Sequence, residues 1–108
     1  MIKATFKQKE NDEIISFEMT GHADFAEMGS DIVCAAASSL SINAVNSIEQ
    51  LAGYQPIVEV EDGYLYIEPL SDLSGKQSEV TSILLNSLLI GLKDIEKEYN
   101  NYIRVKTI

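Results

Sequence analysis

The sequence predicts an α+β two-layer sandwich, β-β-α-β-β-α-β in order, with two helices packed on one face of a mostly antiparallel sheet. Three observations predict it. Short runs that alternate apolar and polar residues recur along the chain, as half-buried strands do. Two longer stretches carry apolar residues at helical spacing. The first four strand-like runs fall into two neighbouring pairs, each joined by a short polar turn. At 108 residues, of which 45% are hydrophobic and 23% charged, the chain suits one globular domain spanning 1–108 and is unlike a disordered segment.

The elements follow in order. Residues 2–8 put Ile2, Ala4 and Phe6 on one face and Lys3, Thr5 and Lys7 on the other. After the polar turn at 10–13, residues 14–20 alternate through Ile15, Phe17 and Met19, so the pair reads as an antiparallel hairpin. Gly21 ends the strand, and residues 22–30 lack any clean period and read as a loop. From Asp31 to Ala52 the spacing of Ile32, Val33, Ala36, Ala37, Leu40, Ala44, Val45, Ile48 and Leu51 predicts a helix, closed by Gly53. Its many alanines suit close packing on a sheet. Residues 57–61 and 64–68 flank Asp62-Gly63, a strong hairpin signal. Pro69 and Gly75 mark a second loop. A helix over 77–98 follows, with Gly91 weakening its interior by about 1 kcal/mol relative to alanine, and a last strand over 102–107.

Charge narrows the function. Lys and Arg number 8 against 17 Asp and Glu, a formal charge of −9. Such a surface argues against nucleic acid and anionic lipid as partners and favours a basic one. No apolar run approaches the roughly 20 residues that span a bilayer, and the first residues run straight into a strand with no visible signal peptide. One cysteine makes no intramolecular disulfide, and with one histidine it makes no structural zinc site. A cytoplasmic protein with a reduced thiol is expected.

The chemistry concentrates in residues 21–39, which hold the only histidine and the only cysteine. His22 sits where a strand gives way to a loop. Cys34 falls in the first turn of a helix, with Asp31 or Ser30 as N-cap candidate. A thiol there meets the positive end of the helix dipole, which favours the nucleophilic thiolate. An imidazole in reach would stabilise it and protonate a leaving amine, and the helix start offers N–H groups to an oxyanion. Asp31 reads either as a cap alone or also as the group that orients the imidazole, and Asp24 is its rival in that role. Ser38 lies one turn beyond Cys34 on the same face, either hydrogen-bonding a group in the site or back-bonding to the helix. Ser41 continues that stripe. Gly21 and Gly29 bracket the loop as turn residues or hinges. Asp24, Glu27 and Asp31 match no calcium-loop spacing, so no metal is expected, and no cofactor motif is present. Against the catalytic reading stand a cysteine simply packed in the core of a non-catalytic binding module and, weaker, a thiol redox protein that lacks a resolving cysteine.

The segments Gly21-His22-Ala23 and Gly29-Ser30-Asp31-Ile32-Val33-Cys34-Ala35-Ala36-Ala37-Ser38 resemble the bacterial ribosomal-processing cysteine protease family, Prp, and the likeness in length and element order extends over the whole chain. The resemblance implies a catalytic pair, His22 and Cys34, with Asp31 and Ser38 in supporting roles. It implies a substrate as well: the short N-terminal extension of large-subunit ribosomal protein number twenty-seven, cut after an apolar-aromatic segment. It further implies a homodimer and a loop between histidine and cysteine that covers the site. The candidate substrate-binding residues are Gly21, Ala23, Phe25, Met28 and Ser38.

Overall fold

The computed structural model describes residues 1–27 and 31–108. Strands β1 (Ile2–Gln8) and β2 (Ile14–Thr20) form the expected antiparallel hairpin, with Phe6 opposite Phe17 and a register shift at Lys7/Gln8. Alternation decides which side chains turn inward. Ile2, Ala4, Phe6, Phe17 and Met19 are buried, and the two phenylalanine rings pack with centroids 4.6 Å apart. Strands β3 (Ile57–Glu61) and β4 (Tyr64–Glu68) form the second hairpin, turned by Asp62-Gly63 with Gly63 at φ 69°. The two hairpins join through β2 and β4, antiparallel, with Thr20 opposite Tyr64. The last strand, β5 (Ile103–Thr107), lies parallel to β1 at the other side. The sheet order is β3-β4-β2-β1-β5, mixed but mostly antiparallel.

Two helices cover the inward face and complete the α+β sandwich. Helix α1 (Ile32–Ser47) runs into a π-helical turn, Ile48–Ala52, which Gly53 ends at φ 76°. The helix predicted over 31–52 is therefore present, capped by Asp31 and widened in its last five residues. Its buried stripe is narrower than its apolar content. Val33, Ala37, Ser41, Ala44, Val45, Ile48 and Ala52 face the core, whereas Ile32, Leu40 and Leu51 do not. Small residues at 37, 41 and 44 let the backbone lie close to its neighbours. Ser41 is buried, and its hydroxyl donates to the Ala37 carbonyl at 2.8 Å, so packing accounts for it. By length and composition Ile32–Ala52 is also apolar enough to cross a membrane, contrary to the expectation that no run comes near. Its serines and asparagines break the apolar run without adding charge. In this fold it is one layer of the sandwich.

Helix α2 (Gly75–Glu98) starts two residues earlier than its apolar period suggests. Ser74 and Gln77 form a capping box, each side chain accepting from the other's backbone N–H, and this overrides the glycine at the first helical position. Gln77 also donates to the Ala52 carbonyl at 3.2 Å, tying the start of α2 to the end of α1. Leu85, Leu88 and Leu92 fill the core. Gly91 lies where a Cβ would come within 2.9 Å of Leu40 on α1, so its cost to the helix is offset by a close crossing.

Candidate active site

Asp31 organises the first turn of α1. Its Oδ1 accepts from the N–H groups of Val33 and Cys34, both at 3.0 Å. Its Oδ2 accepts from Phe25 at 3.0 Å and Ala26 at 3.4 Å. One carboxylate thus caps the helix and pins the preceding loop. Burial pushes the Asp31 carboxyl up, but these four backbone donors outweigh it and hold the group below its usual value of 3.8. Asp31 is the N-cap, and among the described residues its oxygens are occupied by backbone donors; the carboxylate beside the imidazole is a different one.

Cys34 is half-buried, packed against the core on one side, and its Sγ accepts from the Ala23 N–H at 3.2 Å. A donor aimed at the sulfur supports the charge of a thiolate. The sequence offers the N–H groups of the helix start to an oxyanion; in the structure those of Val33, Cys34 and Ala35 are engaged. Val33 and Cys34 give theirs to the Asp31 side chain, and Ala35 gives its own to the Asp31 carbonyl at 3.0 Å. The cap residue itself consumes them.

His22 is placed by backbone geometry. Gly21 takes φ 87° and donates its N–H to the Gly63 carbonyl at 2.8 Å, and a Cβ on it would fall 2.4 Å from the Met1 carbonyl oxygen. The chain leaves β2 against the tip of the β3–β4 hairpin for this reason. The imidazole rests over Gly63, where an added Cβ would come within 2.9 Å of Nε2. Asp62 Oδ1 stands 3.7 Å from Nε2, an ion-pair distance too long for a hydrogen bond.

His22, Cys34 and Ser38 line one cavity of about 220 Å³, with Gly63 at the hairpin tip and Ile42 and Val60 beside them. The histidine and the cysteine, twelve positions apart in sequence, therefore line the same cavity. A larger cavity, about 410 Å³, lies at the other end of β1 and β2 and is lined by Lys7, Tyr66, Glu68 and Ser78 among others. Neither the thiol nor the imidazole lines it.

The remaining candidates divide. Gly21 lines the cavity, and Ala23 is buried with its N–H on the sulfur. Phe25 is turned away: its ring packs edge-on against Tyr99 and Tyr102, with centroids 5.6 and 5.0 Å apart. Phe25 is not among the residues lining the cavity of Cys34 and His22, and its two aromatic partners belong to the α2–β5 connection. Asp24 takes φ 58° and pairs with the N-terminal ammonium at 3.7 Å. Met28 and Gly29, and the alternative cap Ser30, lie outside the described residues. Asp62, Gly63, Ile42 and Val60 escape a reading by local motif. The Asp-Gly turn marks the hairpin, but only the pairing of β4 with β2 brings it to His22.

Comparisons with known proteins bear on this geometry. A family model described as "Cysteine protease Prp" matches residues 1–104. The chain is 38% identical to the ribosomal processing cysteine protease Prp of Bacillus subtilis (strain 168), covering 99% of this chain and 97% of that protein. Two crystal structures of the essential ribosomal processing protease Prp from S. aureus superpose over all of both chains. One, with a covalently linked product peptide, has a TM-score of 0.90 at 31% identity; the other, with a substrate peptide, 0.85 at 30%. Sequence and fold agree: this chain belongs to the Prp family of cysteine proteases.

Proposed function

We propose that the protein is an endopeptidase that removes the N-terminal extension of large-subunit ribosomal protein number twenty-seven by acyl transfer between Cys34 and His22. The single observation carrying this reading is the shared cavity, with His22 and Cys34 on its wall and the Ala23 N–H directed at the sulfur. The relatives named for ribosomal processing, one of them bound to a substrate peptide, support the substrate class.

In this mechanism the Cys34 thiolate adds to the scissile carbonyl. The C–S bond forms and the carbonyl π pair moves to oxygen. As the sulfur loses its charge, the Ala23 N–H and the Ser38 hydroxyl serve the oxyanion in place of the helix amides that Asp31 consumes. His22 gives a proton to the amine, the C–N bond breaks, and a thioester remains. Water then attacks the thioester, His22 takes its proton, and the carboxylate product leaves with the thiolate restored. Asp62, at the hairpin tip, biases the imidazolium toward this site, weakly because it is exposed. Asp31 acts at one remove, holding the helix start and residues 25–26 of the covering loop.

The net charge of −9 speeds encounter with a basic ribosomal protein. The same proposal places the enzyme in the cytoplasm, where its thiol stays reduced, and as a homodimer. Incubation of the purified protein with the extended ribosomal protein, followed by mass measurement, tests it. A single shortened product is expected from the unmodified enzyme and none from Cys34→Ala. An intact substrate overturns the proposal. Light scattering reads the oligomeric state in the same preparation.

A further inference from the structure

The sheet has two outer strands, and among the described residues only one of them is obstructed. On β5 the outward N–H of Val105 is taken by Glu96 Oε2 from α2, at 2.7 Å. A carboxylate laid on a strand edge blocks the pairing of another strand. On β3 the situation differs. Among the described residues β3 has a single neighbour, β4. Glu61 and Tyr64 flank the two-residue turn and so exchange both ladder bonds, and the pattern repeats at Glu59–Tyr66 and Ile57–Glu68. Val58 and Val60 therefore turn their N–H and C=O groups away from the sheet. Two residues span about 7 Å of strand, so these groups form an unused ladder of four.

This open edge adjoins the site. Val60 lines the cavity that holds Cys34 and His22, yet its side chain is 61% exposed. Ile42 of α1, also a lining residue, is 42% exposed. Two apolar side chains thus stand open to solvent at the cavity, one of them belonging to the free edge strand. We infer that the β3 edge is the substrate's docking rail: an extended peptide pairs with Val58 and Val60 as a sixth strand, and an apolar side chain of that peptide contacts Val60 and Ile42. Main-chain bonds then give affinity and the apolar contact gives selectivity. The inference rests on the protease reading and adds to it which surface receives the backbone.

The test combines a variant with altered substrates. Val60→Pro deletes one outward N–H without touching the bonds to β4, and prolines are tolerated on edge strands. The probe is a synthetic peptide of the extension and cleavage segment. Val60→Pro is expected to raise KM about tenfold while the rate of Cys34 alkylation by iodoacetamide stays within twofold, a mark of an intact site. With the unmodified enzyme, single N-methyl groups along the peptide should slow cleavage at every second residue. Cleavage of the peptide with an unchanged KM in Val60→Pro, or insensitivity to N-methylation outside the scissile bond, overturns the edge-docking inference and leaves the protease reading standing. Failure of the unmodified enzyme to cut the peptide or the intact protein overturns the protease reading, and docking falls with it.

Discussion

Each helix of this protein begins beside a cavity, and only one of the two cavities is lined by the thiol and the imidazole. At the start of α2, Ser74 and Gln77 close on each other, and Ser78 and Thr81 face the larger cavity. At the start of α1, Asp31 has two oxygens for four donors, and two of those donors belong to a separate loop. The first cap satisfies a helix. The second satisfies a helix and also fixes the chain that carries His22 and Ala23 toward Cys34. A capped helix start next to a cavity is therefore common structure. On the proposed function, the site arises where another part of the fold delivers His22 as a base to it.

Four measurements break or sharpen that contrast. The largest effect is expected at the nucleophile: Cys34→Ala should lower kcat by about 10⁴-fold or more while the thermal transition barely moves, because the side chain is small and half-buried. Residual cleavage near the unmodified rate would place the chemistry elsewhere. Next is the hairpin tip. Gly63→Ala forces a left-handed φ on a residue with a Cβ and crowds the imidazole, so kcat/KM should drop about 100-fold, on the scale of a misplaced catalytic group. Unchanged kinetics would mean that His22 works from another position.

A smaller effect separates the two duties of Asp31. Asp31→Asn keeps one acceptor for the helix and loses the second for residues 25–26. Activity should fall about tenfold, as expected for misalignment of a few tenths of an ångström, and the melting temperature should fall at neutral pH. The pH dependence has a definite sign. The folded carboxyl titrates below 3.8, so its stabilisation is complete above that pH and is lost as pH falls through the still lower folded value. The difference in melting temperature between the two proteins should accordingly shrink in acid below about pH 3.8, and a gap that stays constant would contradict the assignment. The smallest effect on activity belongs to the other helix. Ser74→Ala costs about 1 kcal/mol, several degrees in Tm for a chain this size, with kinetics unchanged. A loss of activity there would erase the distinction between the two caps.

Much of the fold was legible because each element carries a local signature. The alternation in 2–8 and 14–20, the Asp-Gly turn and the Ser74–Gln77 box are all short-range patterns, the last overlooked because Gly75 suggests a loop. His22 and Cys34 were legible as reactive types at a strand end and a helix start. Asp62 was not, since it neighbours His22 only through the pairing of Thr20 with Tyr64, forty-four positions apart. Phe25 looked like a substrate contact because an apolar residue in a loop has no visible partner until Tyr99 and Tyr102 are brought to it.

The sequence by itself determined which stretches become strands and helices, which face of the first strand buries, and that the thiol begins a helix, because periodicity and capping act over a few residues. Only the tertiary structure decided that the imidazole rests on a hairpin tip, that Asp31 spends its oxygens on backbone rather than on histidine, and that one sheet edge is shielded while the other is open at the cavity. Those outcomes depend on strand order and register, which are settled by the packing of the whole core and are written in no single segment.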